Sequence, residues 1–426
     1  MPALVTPAGR ALLSSAPGWV LSGFSGGLDL DFANGRYYGA SLSQLACSRA
    51  SSAYGDDAAG NWSLFSANTP VITNKGLQVF ESSTNKFKNN SMQGAAAGSP
   101  GTIPTGWTSF ASPVGGLSRQ IVGTGTENGI DYLDFRYSGT ATLTTLIGIF
   151  PCAQNEIAAA QGDTWTTSLF MTLRVGSLGD LVVRVTVREN DSGGVLLAQP
   201  GTIIVPAAGP LGLARYSETR TLTNASTAYV SGGLLLSITN GSTYDFTFRL
   251  GWPQLEKVLF ATSPIRTANA TVTRNSDVVT VPVADFGVAA TLYGTGTPLA
   301  PMSYGNNQTL LTIDDGSNTN RVLIIRVASS GNAGVAVSAG PVPTLATAWA
   351  QNAAGKIAFA DQSGDGALSF NGGAPATAST SGYPSGLVNL HLGSSGAGIG
   401  QWNGYIARLA AARARLPNAT IQRITA

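Results

Sequence analysis

Residues 244–277, YDFTFRLGWPQLEKVLFATSPIRTANATVTRNSD, decide the fold. Tyr244, Phe246, Phe248 and Leu250 alternate with Asp245, Thr247 and Arg249, the period-two pattern of a half-buried strand. After Glu256 the alternation gives way to a long polar exit that runs to Asp277. A strand that closes one β-sandwich, followed by a passage into another module, accounts for both halves.

The neighbouring sequence repeats the strand pattern. In 163–176, Trp165, Thr167, Leu169, Met171 and Leu173 alternate with Thr166, Ser168, Phe170 and Thr172; in 180–191, Leu181, Val183, Val185 and Val187 face away from Arg184, Thr186 and Arg188. Asp191-Ser-Gly-Gly194 supplies a turn, and no helical stretch intervenes. Strands at this spacing predict an antiparallel sandwich over residues 99–265. A Gly/Pro/Ala linker, Ala95–Gly106, opens it. Residues 266–280 read as a polar linker. Residues 281–426 read as a second sandwich, with a short terminal helix that Pro417 and Asn418 are suited to start. Residues 1–98, dense in Gly, Asn and Ser, read as an irregular lead-in of turns and short strands, and no internal repeat is visible. The expected class is all-β: two antiparallel β-sandwiches after an irregular N-terminal attachment section.

Composition agrees. Of 426 residues, 43% are hydrophobic but only 11% charged, against roughly 25% in an ordinary soluble protein, and there are 53 glycines and 21 prolines. A net charge of +2 argues against nucleic-acid binding or capture by an anionic membrane. Nothing approaches a membrane-spanning run, and the opening MPALVTPAGRALLSSAPGWVL lacks a basic region and an unbroken apolar core, so no secretion signal and no membrane insertion are expected. Cys47 and Cys152 stand alone; one disulfide is conceivable, but two buried thiols are the preferred reading.

The motifs carry a resemblance. Pro253-Gln-Leu-Glu256, Ala261-Thr-Ser-x-Ile265 and Val272-Thr-Arg-x-x-Asp277 resemble a hinge that recurs in bacteriophage tail and fibre proteins. Upstream, Ser48-Arg-Ala-Ser51, Ala67-Asn-Thr-Pro70, Lys75-Gly-Leu77 and Glu81-x-x-x-Asn85 resemble the lead-in to that hinge. Pro104-Thr-Gly-Trp107 and Gln254-Leu-Glu256 resemble the two ends of jelly-roll carbohydrate-binding modules. The order from QTLLTIDDGS to the Trp402-Asn-Gly404 strand is similar to a concanavalin-type (laminin G-like) lectin domain. The resemblance implies a non-enzymatic virion surface protein, as a tail fibre, head fibre or spike that contacts host cell-surface glycans. It implies anchoring to other virion proteins through the N-terminal section, a homotrimer, and synthesis in the host cytoplasm. A purely structural virion component (a capsid decoration or tail adaptor) is the first alternative, and a glycan depolymerase the second.

His391 is the single histidine, with no partner acid or nucleophile motif near it in sequence, and reads as structural. Retaining glycoside hydrolysis needs two carboxyls roughly 5 Å apart. Glu127, Asp131 and Asp134 come nearest, yet period-two spacing sets Asp131 and Asp134 on opposite faces, and a solvated strand edge is the better reading; residues 281–426 contain no glutamate. No catalytic residue is therefore assigned. Asp314, Asp315, Asp361 and Asp365 lie on glycine turns and offer oxygen ligands suited to a structural calcium, with ordinary hairpin turns as the alternative. For glycan stacking, Trp165 and Trp252 fall on or beside apolar faces and read as core, and Trp402 reads as packing. Trp62 and Trp107 lie in turn-rich settings and are the candidates, against packing roles. Arg408, Arg413 and Arg415 read as a solvated face, or as a contact for an acidic neighbour or an anionic surface glycan.

Overall fold

In the computed structural model, residues 16–338 and 340–426 are described. Residues 1–15, on which the secretion-signal argument rests, lie outside them. The described residues are almost wholly β, with one α-helix, Asn418–Thr425. No helix among them is long and apolar enough to cross a membrane.

The middle of the chain is the expected sandwich. One sheet orders its strands Arg215–Thr221, Thr164–Gly176, Thr243–Glu256, Ile130–Thr140 and Ser118–Glu127, all antiparallel. The facing sheet centres on Tyr229–Ile238, between Thr145–Ile149 and Val182–Asn190. Tyr244, Phe246, Phe248 and Leu250 meet Leu169, Met171, Val183, Val185, Leu234 and Leu236 between the sheets. Within strand 164–176, residues 165–172 are buried on both faces, with a bulge between Ser168 and Phe170 shifting the register, while residues 174–176 are exposed. Trp252, at φ +36°, turns out of the regular strand conformation and packs edge-on against Tyr54, ring centroids 4.5 Å apart. Trp165 lies with Phe87 and Leu255 in a smaller core at one end. Both tryptophans expected in the core are buried.

The last part forms a second two-sheet sandwich. Strand Gly404–Ala412 lies inside a nine-stranded sheet, flanked on one side by Ala290–Pro298. The facing six-stranded sheet runs Ala333–Val337, Arg321–Arg326, Gln308–Asp314, Asn389–Leu392, Val278–Pro282 and Ala46–Ser48. Trp402 and Trp349 pack edge-on within its core, centroids 4.7 Å apart. The terminal helix begins after Pro417, as expected, and lays Ile421 over Ala358, Ala360, Ala367, Ala410 and Ala412. Alanines there keep the sheet surface flat enough for the helix to close on it.

The lead-in has short strands, as expected, but they are built into the sandwiches. Leu28–Asp31 and Gly76–Val79 both pair with Gly404–Ala412, and Ala46–Ser48 pairs with Val278–Pro282. Leu28–Asp31 and Gly76–Val79 are buried on both faces, so no alternation marks them in the sequence. Within the polar passage, Val272–Arg274 pairs with Ser83–Asn85.

The hinge motifs fasten these parts. Asp277 accepts Arg49 Nη1 at 2.7 Å, Arg274 Nη1 at 3.3 Å and the Phe80 amide at 2.9 Å, all buried. Glu256 accepts hydroxyls from Ser83 and Thr262, each at 2.5 Å. Gln254 Oε1 takes the Ile265 amide at 2.7 Å. Asn85 donates to the Ile265 carbonyl (3.0 Å) and accepts the Leu255 and Phe87 amides (3.1 Å each). The lead-in and hinge motifs are thus two halves of one clasp.

Candidate functional site

Where the clasp holds the two sandwiches together, a cleft of about 500 Å³ opens between them. Its wall draws on all three sections of the chain: the hairpin Ala53–Phe65, the five-stranded sheet of the middle sandwich, and loops of the last one.

Trp62 and Phe170 form an aromatic floor, centroids 5.7 Å apart and edge-on. The Trp62 amide donates to the Asn128 carbonyl (2.7 Å), and its indole N–H donates to the Gly212 carbonyl (3.3 Å). Glycine is required at 212, because a Cβ there would lie 1.7 Å from the Gly60 carbonyl oxygen of the hairpin. Leu213, 61% exposed, forms an apolar lip.

A charged group faces this floor. Asp56 Oδ1 accepts the Tyr405 hydroxyl (2.6 Å) and Gln78 Nε2 (2.8 Å), while Oδ2 accepts Lys75 Nζ (2.7 Å). Lys75 also donates to the Tyr405 oxygen at 3.0 Å. Burial, then the Asp56 carboxylate, pushes the Tyr405 phenol well above the usual range, so it remains a donor. Arg215 donates to the Thr262 carbonyl (2.6 Å) and Ser168 hydroxyl (2.9 Å), but its Nε–H is buried without a partner. Burial lowers its pKa. Gln351 and Asn352 stand exposed at the rim. The arrangement pairs an apolar floor with donors and acceptors at several heights, which suits a ligand rich in hydroxyls.

The sequence-derived candidates separate. Trp62 lies in the cleft, though only 9% of its surface is open. Trp107 is not at the surface: it is 5% exposed, packs on Phe110 in the sandwich core and donates its indole N–H to the Asn89 carbonyl at 2.8 Å. A turn-rich neighbourhood did not mean exposure there, because the turns fold the ring inward as an end plug. Trp402 is buried packing, as read.

The four aspartates do not converge. Asp314 and Asp361 belong to opposite sheets of the last sandwich. Asp314 Oδ1 accepts the Gly316 amide (2.9 Å), and Oδ2 lies 3.0 Å from His391 Nε2. His391 therefore has a partner acid, supplied across strands rather than along the sequence. Asp315 is exposed, accepts the Ser317 amide (2.9 Å) and is held low by Ser317. Asp361 accepts the Thr380 hydroxyl (2.5 Å), and burial raises its carboxyl. Asp365 pairs with Arg415 at 2.8 Å. Among the described residues, no three His, Cys, Asp or Glu side chains gather as a metal would need.

Several other charged side chains are held by partners within the chain. Arg249 holds Asp134 in a fork (2.8 and 2.7 Å) and also contacts Glu127, while Asp131 pairs with Arg266 at 2.6 Å. In place of the solvated edge expected for these acids there is a set of ion pairs, with Asp131 and Asp134 on an inner strand and Glu127 at the end of the edge strand beside it. Arg408 grips the fully buried Asp29, its Nε at 2.7 Å from Oδ1, so it is not a solvated residue. Arg413 donates to the Asp285 carbonyl at 3.0 Å. Both cysteines are free, but only Cys152 is buried as expected, Cys47 being half-buried; burial pushes the Cys152 thiol to about 12 and the Cys47 thiol to about 11.

No protein-family model and no curated protein matches the sequence. Among solved structures, the chain is similar to the Ruminococcus gnavus IT-sialidase CBM40 bound to α2,3 sialyllactose, at 16% identity over 32% of this chain and 83% of that one, with a TM-score of 0.27. It is similar to domain 4 of AbnA, a GH43 extracellular arabinanase from Geobacillus stearothermophilus in complex with arabinotriose, at 12% identity over 40% and 81%, TM-score 0.29. It is also similar to the N-terminal CBM22-1–CBM22-2 tandem domain of Paenibacillus barcinonensis Xyn10C, at 10% identity over 79% and 97%, TM-score 0.22. The chemistry of the cleft carries the functional reading.

Proposed function

We propose that the protein binds a surface glycan in the cleft between its two sandwiches, without cleaving it, as a modular virion surface protein. The cleft carries this reading. An aromatic and aliphatic floor (Trp62, Phe170, Leu213) lies under Asp56, Lys75, Arg215, Gln351 and Asn352, which match an apolar sugar face with hydroxyls around it. The virion assignment rests on the hinge and lead-in motifs, and a trimer on that resemblance alone. A single carboxylate, Asp56, lines the cleft, whereas retaining or inverting hydrolysis calls for two.

A glycan array, followed by calorimetry on any hit, tests the reading. Gln351→Ala with Asn352→Gly changes only the rim and is expected to weaken binding about tenfold while leaving stability unchanged. A folded protein that binds no glycan would favour a purely structural virion role. New reducing ends after incubation with host capsule or lipopolysaccharide would favour a depolymerase.

A further inference from the structure

The chain contains five lysines, Lys75, Lys86, Lys88, Lys257 and Lys356. Three of them, Lys86, Lys88 and Lys257, line one cavity of about 410 Å³ on the middle sandwich, with Trp165, Ile157 and Thr271. In a protein with so few charges this gathering requires a cause, and the backbone supplies it. Lys86 and Lys88 flank Phe87, which is fully buried, so both emerge on the side opposite its ring. The Lys86 amide donates to the Leu255 carbonyl at 2.9 Å, which lays this run beside the end of strand Thr243–Glu256. Lys257 is the next residue.

The three ammoniums are only partly neutralised. Lys88 lies 2.8 Å from Glu156 and Lys257 lies 2.7 Å from Asp163, with the lysine side chains 56% and 54% exposed. Exposed pairs of this kind are weakly held, so either lysine can swing to another anion at little cost. Lys86 makes no ion pair among the described residues. The floor beside them is apolar, formed by Trp165 and Ile157, both buried. A bare inorganic anion would leave this floor unused, whereas a ring carrying a negative group uses both parts.

We propose that this cavity is a second binding site, distinct from the interdomain cleft, for a sugar bearing a carboxylate or phosphate group. The anion sits among the ammoniums of Lys86, Lys88 and Lys257, and the ring lies toward Trp165 and Ile157. The site does not depend on the reading of the cleft, which the rim variant tests separately.

Titration of the full-length protein with methyl β-D-glucuronide, glucose 6-phosphate and neutral methyl β-D-glucoside tests it, read by calorimetry and ligand-observed NMR at low ionic strength. Binding of at least one anionic sugar is expected, with little or none of the neutral one, and the two anionic arms tell carboxylate from phosphate. Lys86→Ala is expected to weaken that binding about tenfold, as loss of one charge-assisted contact does. The triple variant Lys86→Ala, Lys88→Ala, Lys257→Ala is expected to abolish it, and Lys356→Ala to leave it unchanged. Circular dichroism establishes that each variant is folded. The proposal is overturned if no anionic sugar binds, if the neutral sugar binds equally well, or if the folded triple variant binds as the parent does.

Discussion

Glu81 shows how much one side chain can depend on residues remote from it in sequence. It receives the Tyr304 hydroxyl from the last sandwich and lies close to Arg274 and Glu256. Burial raises its pKa to about 7, with Glu256 adding to the rise and Arg274 opposing it. Between the ordinary value of 4.5 and about 7 the folded protein therefore binds more protons than the unfolded chain. The stability contribution of Glu81 is fully present below about 4.5 and is lost as pH rises through about 7. Urea denaturation across this window is expected to show that loss, and Glu81→Gln to reduce it; an identical pH slope in the variant would refute the assignment. His391 carries the same lesson. The sequence around it contains no acid, yet the pairing of Thr312 with His391 brings Asp314 to 3.0 Å from its imidazole. A strand's own sequence cannot state which acid lies on the neighbouring strand.

At the scale of elements, the hinge was the most legible part of the sequence, and its meaning changed most. Residues 244–250 predicted a strand with its apolar face inward, and that face lies in the sandwich core. The polar residues after it read as a linker. Together with the lead-in they supply the acceptors and donors of a buried clasp, in which Asp277 takes Arg49 and Asn85 of the lead-in contacts three backbone groups of its partner segments. Breaking such contacts strands buried polar groups. Arg49→Met is expected to cost about 3–5 kcal/mol, because it leaves the Asp277 charge with only Arg274. Asn85→Ala is expected to cost about 2–4 kcal/mol through unsatisfied backbone groups. Equilibrium denaturation measures both, and a loss under about 1 kcal/mol in each would mean that the clasp does not hold the fold.

For the whole molecule, the decisive fact is that strands between residues 28 and 79 complete the last sandwich. Strand Gly404–Ala412 has Ala290–Pro298 on one side and both Leu28–Asp31 and Gly76–Val79 on the other. A chain lacking residues 1–98 would expose that edge and the apolar core that Leu28, Leu30, Leu77 and Val79 cover. Residues 99–426 alone are expected to lose their near-UV circular dichroism and aggregate, and co-expression of 1–98 as a separate chain to restore solubility. A soluble, cooperatively folding 99–426 fragment would contradict this arrangement.

What the sequence by itself determined was local. Period-two alternation, turn residues and low charge specified strands, their inward faces and an all-β class, because each depends only on residues a few positions apart. The terminal helix after Pro417 was legible for the same reason. The tertiary structure alone decided which distant segments share a sheet, that Trp107 is buried while Trp62 borders a cleft, and that four aspartates on glycine turns never meet. It also gathered Lys86, Lys88 and Lys257 from separate parts of the chain. Strands buried on both faces carry no periodic signal, and long-range register is written in packing and hydrogen bonds between segments that no short window of sequence contains.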